Sequence, residues 1–475
     1  MPPNAALIIC AFFVLWLLLL DHKQAPKVSF ALWLPTIWML VNASKPLGAW
    51  FQSYGAKTVE EGSRLDQIYL FILLCIGLIV LSGRKFDWYN ALCRNFWMLL
   101  LILYMLASVL WSDIPIVSFK RWTREFIALV MIFIVISESE PRQAFQSLLR
   151  RIIYILIPFS YVLINYFPEY GREYHIWEGN VMWIGVATQK NGLGIICLIT
   201  IFYLVWSFIR RKQGRDIPAT GYQTYLEVFI LILTLWLMGG PKHNLSFSVA
   251  SNVSLLLGLF TLIAYSWIKK IDGVMSSKAL LVIVAMIISY GTITPFVGKL
   301  YVADISSSFG RDTTLTGRDE IWADLVKQAM QRPFFGYGFG GFWTSKAIEE
   351  ARIASAHNGY LEIILNIGFI GHMIFFILLL SCCLKAQREI VENSDWGICA
   401  LCYLLMAVVH NMVESSCAGI TGKIFVVALL LAVSPIANPL YIRTGGRKVS
   451  RNTMRNKLRH TFAKNMQVSH NSYTI

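Results

Sequence analysis

The chain has 475 residues, 56% of them hydrophobic and 15% charged, with a mean hydropathy of +0.57. Soluble domains carry roughly 25% charged residues, so this composition excludes an ordinary soluble enzyme and points to a helical membrane protein. The net charge of +15 would suggest nucleic acid in a soluble chain, but much of it lies in short loops and in a tail after Ile442 that suits anionic lipid instead.

In chain order, apolar runs predict spans at 5–20, 28–44, 66–82, 96–111, 125–138, 152–167, 191–209, 224–240, 247–268, 279–295, 361–381, 397–412 and 421–441. These thirteen candidates define an all-α polytopic transmembrane bundle of about 12–13 spans, because a lipid-embedded backbone must close its own hydrogen bonds. The first run, Ala5 to Leu20, lacks a basic leader and a small-residue cleavage site, and reads as a retained helix. Loops 21–27, 83–95, 139–151, 210–223, 269–278 and 382–396 hold 17 Lys or Arg, against 10 in 45–65, 112–124, 168–190, 241–246 and 413–423. The positive-inside tendency puts the first set and the basic tail in the cytoplasm, and the long polar stretch 296–360 on the far side. Seven of the nine cysteines fall inside apolar runs, and the Cys399-x-x-Cys402 pair reads as small apolar packing, with no disulfide or zinc framework.

Polar motifs punctuate these spans. Glu60-Glu61-Gly62-Ser63-Arg64-Leu65-Asp66 precedes the third, and Trp111-Ser112-Asp113-Ile114-Pro115 ends the fourth. Lys120, Arg121 and Arg124 follow on the non-cytoplasmic side, either as a solvated interfacial cluster or as a phosphate-facing patch. Lys190 and Asn191 stand at the outer mouth of a helix, where a lysine can simply snorkel; Glu227, near the inner end of span eight, can do the same. The turn Pro241-Lys242-His243-Asn244 is polar and has no assigned role.

The stretch 316–362 is the densest. Thr316 can cap a helix with Asp319 and Glu320 in its first turn, an apolar face from Ile321 to Met330, and Pro333 as its stop. Arg318 lies near that helix start, seven residues after Arg311, where a cation is disfavoured unless an anion also sits there. The run Gly336 to Gly341 lacks Gly-Lys-Ser/Thr and follows no strand, so it does not fit a nucleotide loop. Its neighbours Phe334, Phe335, Phe342 and Trp343 read as an interfacial belt or as a platform for sugar rings. His357, directly before a span, is either an ordinary loop histidine or a base for a hydroxyl proton. His410 and Glu414 have the i, i+4 spacing of half a metal site, but no third ligand and no Asp-x-Asp accompany them, so neither metal nor cofactor is expected.

Taken together and in order, Trp111-Ser112-Asp113-x-Pro115, Lys190-Asn191-x-x-Gly194, Thr316-Gly317-Arg318 with Trp322, Pro333-x-x-Gly336-Tyr337-Gly338, His357-Asn358-x-x-Leu361-Glu362 and Asn411-x-x-Glu414-Ser415 resemble the O-antigen ligase and polymerase superfamily of bacterial envelope-glycan enzymes. The resemblance covers roughly 60–420, and its Glu-Gly-Ser, Thr-Gly-Arg and Lys190-Asn191 forms are most similar to the exopolysaccharide-polymerase branch of the succinoglycan type. The chain departs from that branch at Gly240-Pro241-Lys242-His243, where a serine-rich turn is usual.

The resemblance implies a metal-independent inverting glycosyltransferase of the bacterial inner membrane, with its active site facing the periplasm. It would move a glycan from undecaprenyl diphosphate to a sugar hydroxyl of a second lipid-linked repeat unit in exopolysaccharide biosynthesis. His357 and Arg318 would be catalytic, and Arg311, Lys190, Asn191, Arg121, Arg124, Asn358 and Glu414 would bind substrate. Implied partners are the lipid-linked oligosaccharide, a chain-length regulator, a flippase and membrane lipids, but not nucleic acid. The layout is then ten spans over 1–295, one large periplasmic catalytic loop at 296–360, the last spans over 361–441, and a basic cytoplasmic tail at 442–475 expected to be disordered. Two alternatives stand: a ligase acting on a lipid A-core acceptor, and a solute transporter, which the lack of an internal repeat disfavours.

The sidedness is testable. In a background without native cysteines, Ala347→Cys should react with a membrane-impermeant thiol reagent on intact spheroplasts and Gly214→Cys should not. The reverse pattern would overturn the orientation.

Overall fold

An apolar run in lipid can satisfy its peptide groups only as a helix, and each predicted span lying on described residues is helical. The computed structural model describes residues 1–51, 63–174, 180–214, 221–241, 247–270, 277–297, 318–344, 348, 355–415 and 426, all within the unit Met1–Pro435. The expected span 421–441 (apart from Val426), the tail 442–475, Arg311, Thr316, Gly317, Lys242, His243 and Glu60 to Gly62 lie outside the described residues.

The first half of the chain forms α1 (Pro3–Gln24), α2 (Trp33–Ala43), α3 (Leu47–Trp50), α4 (Arg64–Ser82), α5 (Trp88–Arg94), α6 (Phe96–Ala107), α7 (Pro115–Ile136), α8 (Pro141–Tyr166) and α9 (Pro168–Gly171). A two-stranded antiparallel ribbon, β1 (Arg172–Tyr174) and β2 (Val181–Trp183), leads into the second half. There follow α10 (Lys190–Lys212), α11 (Gly221–Gly239), α12 (Val249–Lys270), α13 (Ser277–Val297), α14 (Arg318–Gln331), α15 (Gly359–Glu392) and α16 (Ser394–His410). Proline at the first helical position starts α1, α7 and α8, where its missing N–H costs nothing.

Among the described residues eight helices are long and apolar enough to cross a bilayer: α1, α4, α8, α10, α11, α12, α13 and α15. A ninth results if α5 and α6, bent by 81° at their junction, count as one broken span. Three predicted spans miss this test for physical reasons. Those at 28–44 and 397–412 are short helices, and the one at 125–138 is the buried end of α7, whose first turns carry Lys120, Arg121 and Arg124. The loop expected at 112–124 is thus mostly helix, started by Pro115 and steadied by Ser112, whose Oγ accepts from Ile114 N at 3.2 Å.

The centre of the bundle is α8, α10, α16 and the second half of α7. From Trp396 to Val408 every residue of α16 is buried, as is Ile127 to Ile136 in α7, the mark of helices apolar all round. Cys399 and Cys402 are both fully buried and free, so they do pack as small apolar residues. By contrast α1, α4 and α12 expose Phe12, Leu19, Phe71, Ile79, Leu256 and Phe260 outward.

Contacts sort the helix ends into two sets, in the alternation the loop charges predict. On one side Arg84 pairs with Glu138, Arg142 with Glu389 at 2.8 Å, Arg210 with Asp395 at 3.9 Å, and Arg211 with Glu227. Glu227 therefore does not snorkel: it is buried, with Tyr154 Oη 3.3 Å away. Asp21 is the hub of this side, accepting from Ser147 Oγ at 2.5 Å, Arg150 Nε at 2.8 Å and Arg151 Nε at 2.9 Å. On the other side Arg332 meets Asp113 at 3.1 Å, Lys45 Nζ donates to Tyr170 O at 2.6 Å, and Leu47 N donates to Asp66 Oδ1 at 2.8 Å.

Removing the Asp21 carboxylate would strand two buried guanidiniums. Asp21→Asn should destabilise the detergent-solubilised protein by about 3 kcal/mol or more, read as a lowered Tm. An unchanged Tm would show that the cluster contributes nothing.

Candidate active site

The sequence Ala356-His357-Asn358-Gly359 turns the chain into α15. Asn358 caps that helix, its Oδ1 accepting from Tyr360 N at 2.9 Å and Leu361 N at 3.0 Å. Its amide nitrogen donates to Gly291 O in α13 at 3.0 Å and to Met412 O, just past α16, at 3.2 Å. Gly359 N donates to Asn411 O at 2.8 Å, and a Cβ on Gly359 would lie 1.8 Å from Asn411 Oδ1, so only glycine permits this approach. Tyr360 Oη donates to Val408 O at 2.9 Å and completes the joint.

Ala356 is held from both sides. Trp322 Nε1 of α14 donates to its carbonyl at 2.8 Å, and its N–H donates to Glu362 Oε2 at 2.9 Å. Between this clamp and the Asn358 cap, His357 adopts φ 50°, a left-handed conformation rare for a residue with a side chain. The strain points the ring at Glu414, whose Oε2 is 3.4 Å from Nδ1. Glu414 is nearly buried, and its Oε1 accepts from Asn191 Nδ2 at 2.6 Å. His357 keeps a third of its side chain accessible.

This group opens onto a cavity of about 720 Å³. Its polar lining includes Arg121, Arg124, Glu125, Gln189, Asn191, His357, Glu362 and Glu414. Along α10 the lining continues from Asn191 to Thr200, about 13 Å of helix. There the walls turn apolar, with Trp38 and Met39 from α2, Ile152 and Ile153 from α8, and Ile195 and Ile199. Arg124 is exposed and has no carboxylate partner among the described residues.

The glycine run forms a wall of this cavity. Gly336, Gly338 and Gly340 have φ of 64°, 86° and 66°, and the loop they shape fits a break in α15, where Gly368 has φ 68°. Tyr337 N donates to Leu365 O at 3.0 Å, Phe369 N to Pro333 O at 2.8 Å, and Ile370 N to Phe334 O at 3.3 Å. Gly340 N donates to Asn366 Oδ1 at 2.9 Å, while Arg121 donates to Gly340 O and Trp343 O. The aromatic neighbours divide: Phe342 and Trp343 are buried, with Trp343 Nε1 on Glu362, whereas Phe334 and Phe335 are exposed. The Trp111 to Pro115 motif docks the same loop, through Trp111 Nε1 to Phe335 O at 3.0 Å and Asp113 to Arg332.

Of the residues singled out in the sequence, His357, Glu414, Asn191, Arg121 and Arg124 share the cavity. Asn358 does not line it: fully buried, its amide is spent on the helix cap and two carbonyls, so it positions the site instead of touching a ligand. Lys190 opens α10 but stays outside the lining. Arg318 is the first residue of α14, with its side chain outside the description, and Arg311 is not described. The half metal site dissolves, since His410 Nε2 lies 3.1 Å from Ser251 Oγ while Glu414 serves His357 and Asn191. Lining residues to which the sequence analysis gave no role include Glu125, Gln189, Glu362 and Asn366. Two carried a signal, because Glu125 follows Arg121 at i+4 and Glu362 closes the His357 motif.

Comparison with known proteins agrees with the motifs. Residues 243–376 match the O-antigen ligase family, a segment spanning α12, α13, α14 and the broken half of α15. The chain is 22% identical over 315 residues to the exopolysaccharide production protein ExoQ of Rhizobium meliloti (strain 1021), covering 63% of this chain and 67% of that one. It is 22% identical over 344 residues to the ComP-specific O-oligosaccharyltransferase of Acinetobacter baylyi, covering 69% of this chain and 60% of that protein.

The joint around Asn358 makes a direct prediction. Asn358→Ala removes the cap and both donated bonds, and should lower stability by about 1–3 kcal/mol, measured as a drop in Tm in detergent. An unaltered Tm would contradict the structural role.

Proposed function

We propose that this O-antigen-ligase-family protein is a glycan transferase of the bacterial inner membrane, its cavity open to the periplasm, that polymerises lipid-linked repeat units into an exopolysaccharide. The observation that carries this reading is the His357–Glu414 pair, 3.4 Å apart, in a cavity that also holds Arg124 and has apolar walls. Such a cavity suits an amphipathic anion, and a sugar on a lipid diphosphate is one.

The chemistry follows from the geometry. In this scheme Glu414, 3.4 Å from His357 Nδ1, accepts from Nδ1–H and leaves Nε2 as the basic nitrogen. Nε2 takes the proton of the acceptor hydroxyl as that oxygen attacks the anomeric carbon from the face opposite the diphosphate. The bond from that carbon to the diphosphate oxygen breaks, its electron pair leaves with the diphosphate, and the new linkage is inverted. The leaving group is already stable, so the protein's part is to neutralise its growing charge, for which Arg124 is placed in the cavity and Arg318 and Arg311 are the further candidates. No metal takes part in this scheme.

A second reading is transfer of a finished glycan to another acceptor, as in a ligase. The family description and the name of the Acinetobacter relative favour it. The preference for polymerisation rests on the Rhizobium relative, named for exopolysaccharide production, and on the Lys190-Asn191 and Thr316-Gly317-Arg318 motifs.

Three variants test the site. His357→Ala should lower transfer roughly a hundredfold to ten-thousandfold without reducing folded protein in the membrane. Glu414→Gln should lose less, and Arg318→Lys should stay strongly impaired because a point charge does not replace a planar fork. Unchanged activity in His357→Ala would remove the histidine from the mechanism. Cells lacking the protein should keep single repeat units on the lipid carrier and make no long polymer. Long polymer accumulating on the carrier would instead establish the ligase reading.

A further inference from the structure

His357 is flanked by two chains of contacts, and each ends in a cavity residue that the proton transfer does not use. One chain runs from His357 Nδ1 to Glu414, and from Glu414 Oε1 to Asn191 Nδ2 at 2.6 Å, two residues beyond Gln189. The other leaves from the preceding residue: Ala356 N donates to Glu362 Oε2 at 2.9 Å, and Glu362 Oε1 accepts from Trp343 Nε1. Gln189 and Trp343 both line the same cavity as the histidine.

Gln189 caps α10 with its backbone alone, its carbonyl accepting from Gly192 N at 3.0 Å and Leu193 N at 3.3 Å. Its side-chain amide makes no capping bond, is exposed, and has no partner among the described residues. Thr188, also exposed, lines the cavity beside it. A primary amide offers two donors and one acceptor, the set that a neutral hydroxyl can meet both ways.

Trp343 is held on every polar handle it has. Its indole N–H is taken by Glu362, its carbonyl accepts from Arg121 Nη1 and Nη2 at 3.3 Å each, and its ring meets the edge of Phe342 with centroids 4.9 Å apart. What the side chain can still give the cavity is aromatic surface. The face of an aromatic ring is electron-rich and attracts weakly positive C–H edges. A pyranose has such C–H groups on its faces and hydroxyls around its rim. An anion is disfavoured against this indole, because the buried Glu362 carboxyl adjoins it.

We infer that Trp343 and Gln189 form a subsite for a neutral pyranose, the acceptor sugar, with the ring face on the indole and the rim hydroxyls on the amide. The position between them is that of His357, so the sugar bound there is the one whose hydroxyl loses its proton. The assignment of that sugar as acceptor rests on the glycan-transfer reading; the subsite itself rests on the two side chains.

The subsite can be read without transfer. The probe is the oligosaccharide repeat unit released from the strain's own polysaccharide, free of lipid and phosphate. Saturation-transfer NMR with the full chain in lipid discs should show contact at its ring C–H protons. Trp343→Leu should weaken that binding at least tenfold, whereas Trp343→Phe, which keeps an aromatic face but cannot donate to Glu362, should weaken it less than threefold. Equal losses in the two variants would show that the indole only holds Glu362, and would overturn the inference. So would an absence of contact in the unaltered protein. In the transfer assay Gln189→Leu should raise KM for the acceptor unit roughly three- to tenfold, the loss of one neutral hydrogen bond, and leave kcat unchanged. A rise in the donor's KM alone would overturn the acceptor assignment. If the protein transfers nothing while the NMR pattern holds, the glycan-transfer reading fails and the subsite stands.

Discussion

The close approach of two helix ends governs the rest of the site. Gly359 touches Asn411 with no space for a side chain, and Asn358 ties the start of α15 to α13 and to the end of α16. Every feature of the candidate site hangs from this joint. Because Asn411 is fixed, Glu414 lies one turn onward against His357. Because Asn358 is fixed on one side and Ala356 on the other, His357 has no freedom to relax out of its left-handed conformation. Strain of this kind costs on the order of 1–3 kcal/mol and persists only where the surroundings over-determine it. Here they do, through three helices and a cap.

Much of this was legible in the sequence, but unevenly. Hydropathy located the helices because lipid leaves the backbone no alternative, and the loop charges anticipated which ends meet. Hydropathy could not separate a helix facing lipid from one buried in the bundle, since α4 and α16 are equally apolar. Nor could it recognise α7, whose cationic first turns look like a loop until Pro115 and the carbonyls of Gly340 and Trp343 are seen to support them. At the site the motif residues His357, Glu414 and Asn191 share one cavity with Arg124 of the cationic cluster. Asn358 shows the opposite lesson: its position before Gly359-Tyr360-Leu361-Glu362 is a capping signature, and the cap, not a ligand, uses its side chain. The apolar half of the cavity had no sequence signal, because Trp38, Ile152 and Ile199 are residues that lipid-facing helices also carry.

The two sets of helix ends are built differently. The set around Asp21 is crowded with arginine–carboxylate pairs, nearly all with little exposure. Such pairs are weak contributors to net stability, but each one is expensive to break. They hold α1, α8, α10, α11 and α15 at fixed separations there. Among the described residues the opposite set has fewer pairs and more backbone-mediated contacts, and it is there that the cavity opens. Firmness at one end leaves the other free to be shaped around a ligand.

The broken helix has a consequence for how this protein can vary. Loops normally accept insertions because water satisfies any peptide group they displace. The loop after α14 is different, since Pro333, Phe334 and Tyr337 supply the partners that Phe369, Ile370 and Leu365 lose at the Gly368 break. Adding one residue between Pro333 and Tyr337 would put loop and helix out of register and leave peptide groups unmet inside the bundle. The length of this segment is therefore quantised like that of a strand in a sheet, and relatives should differ in its side chains while keeping its residue count.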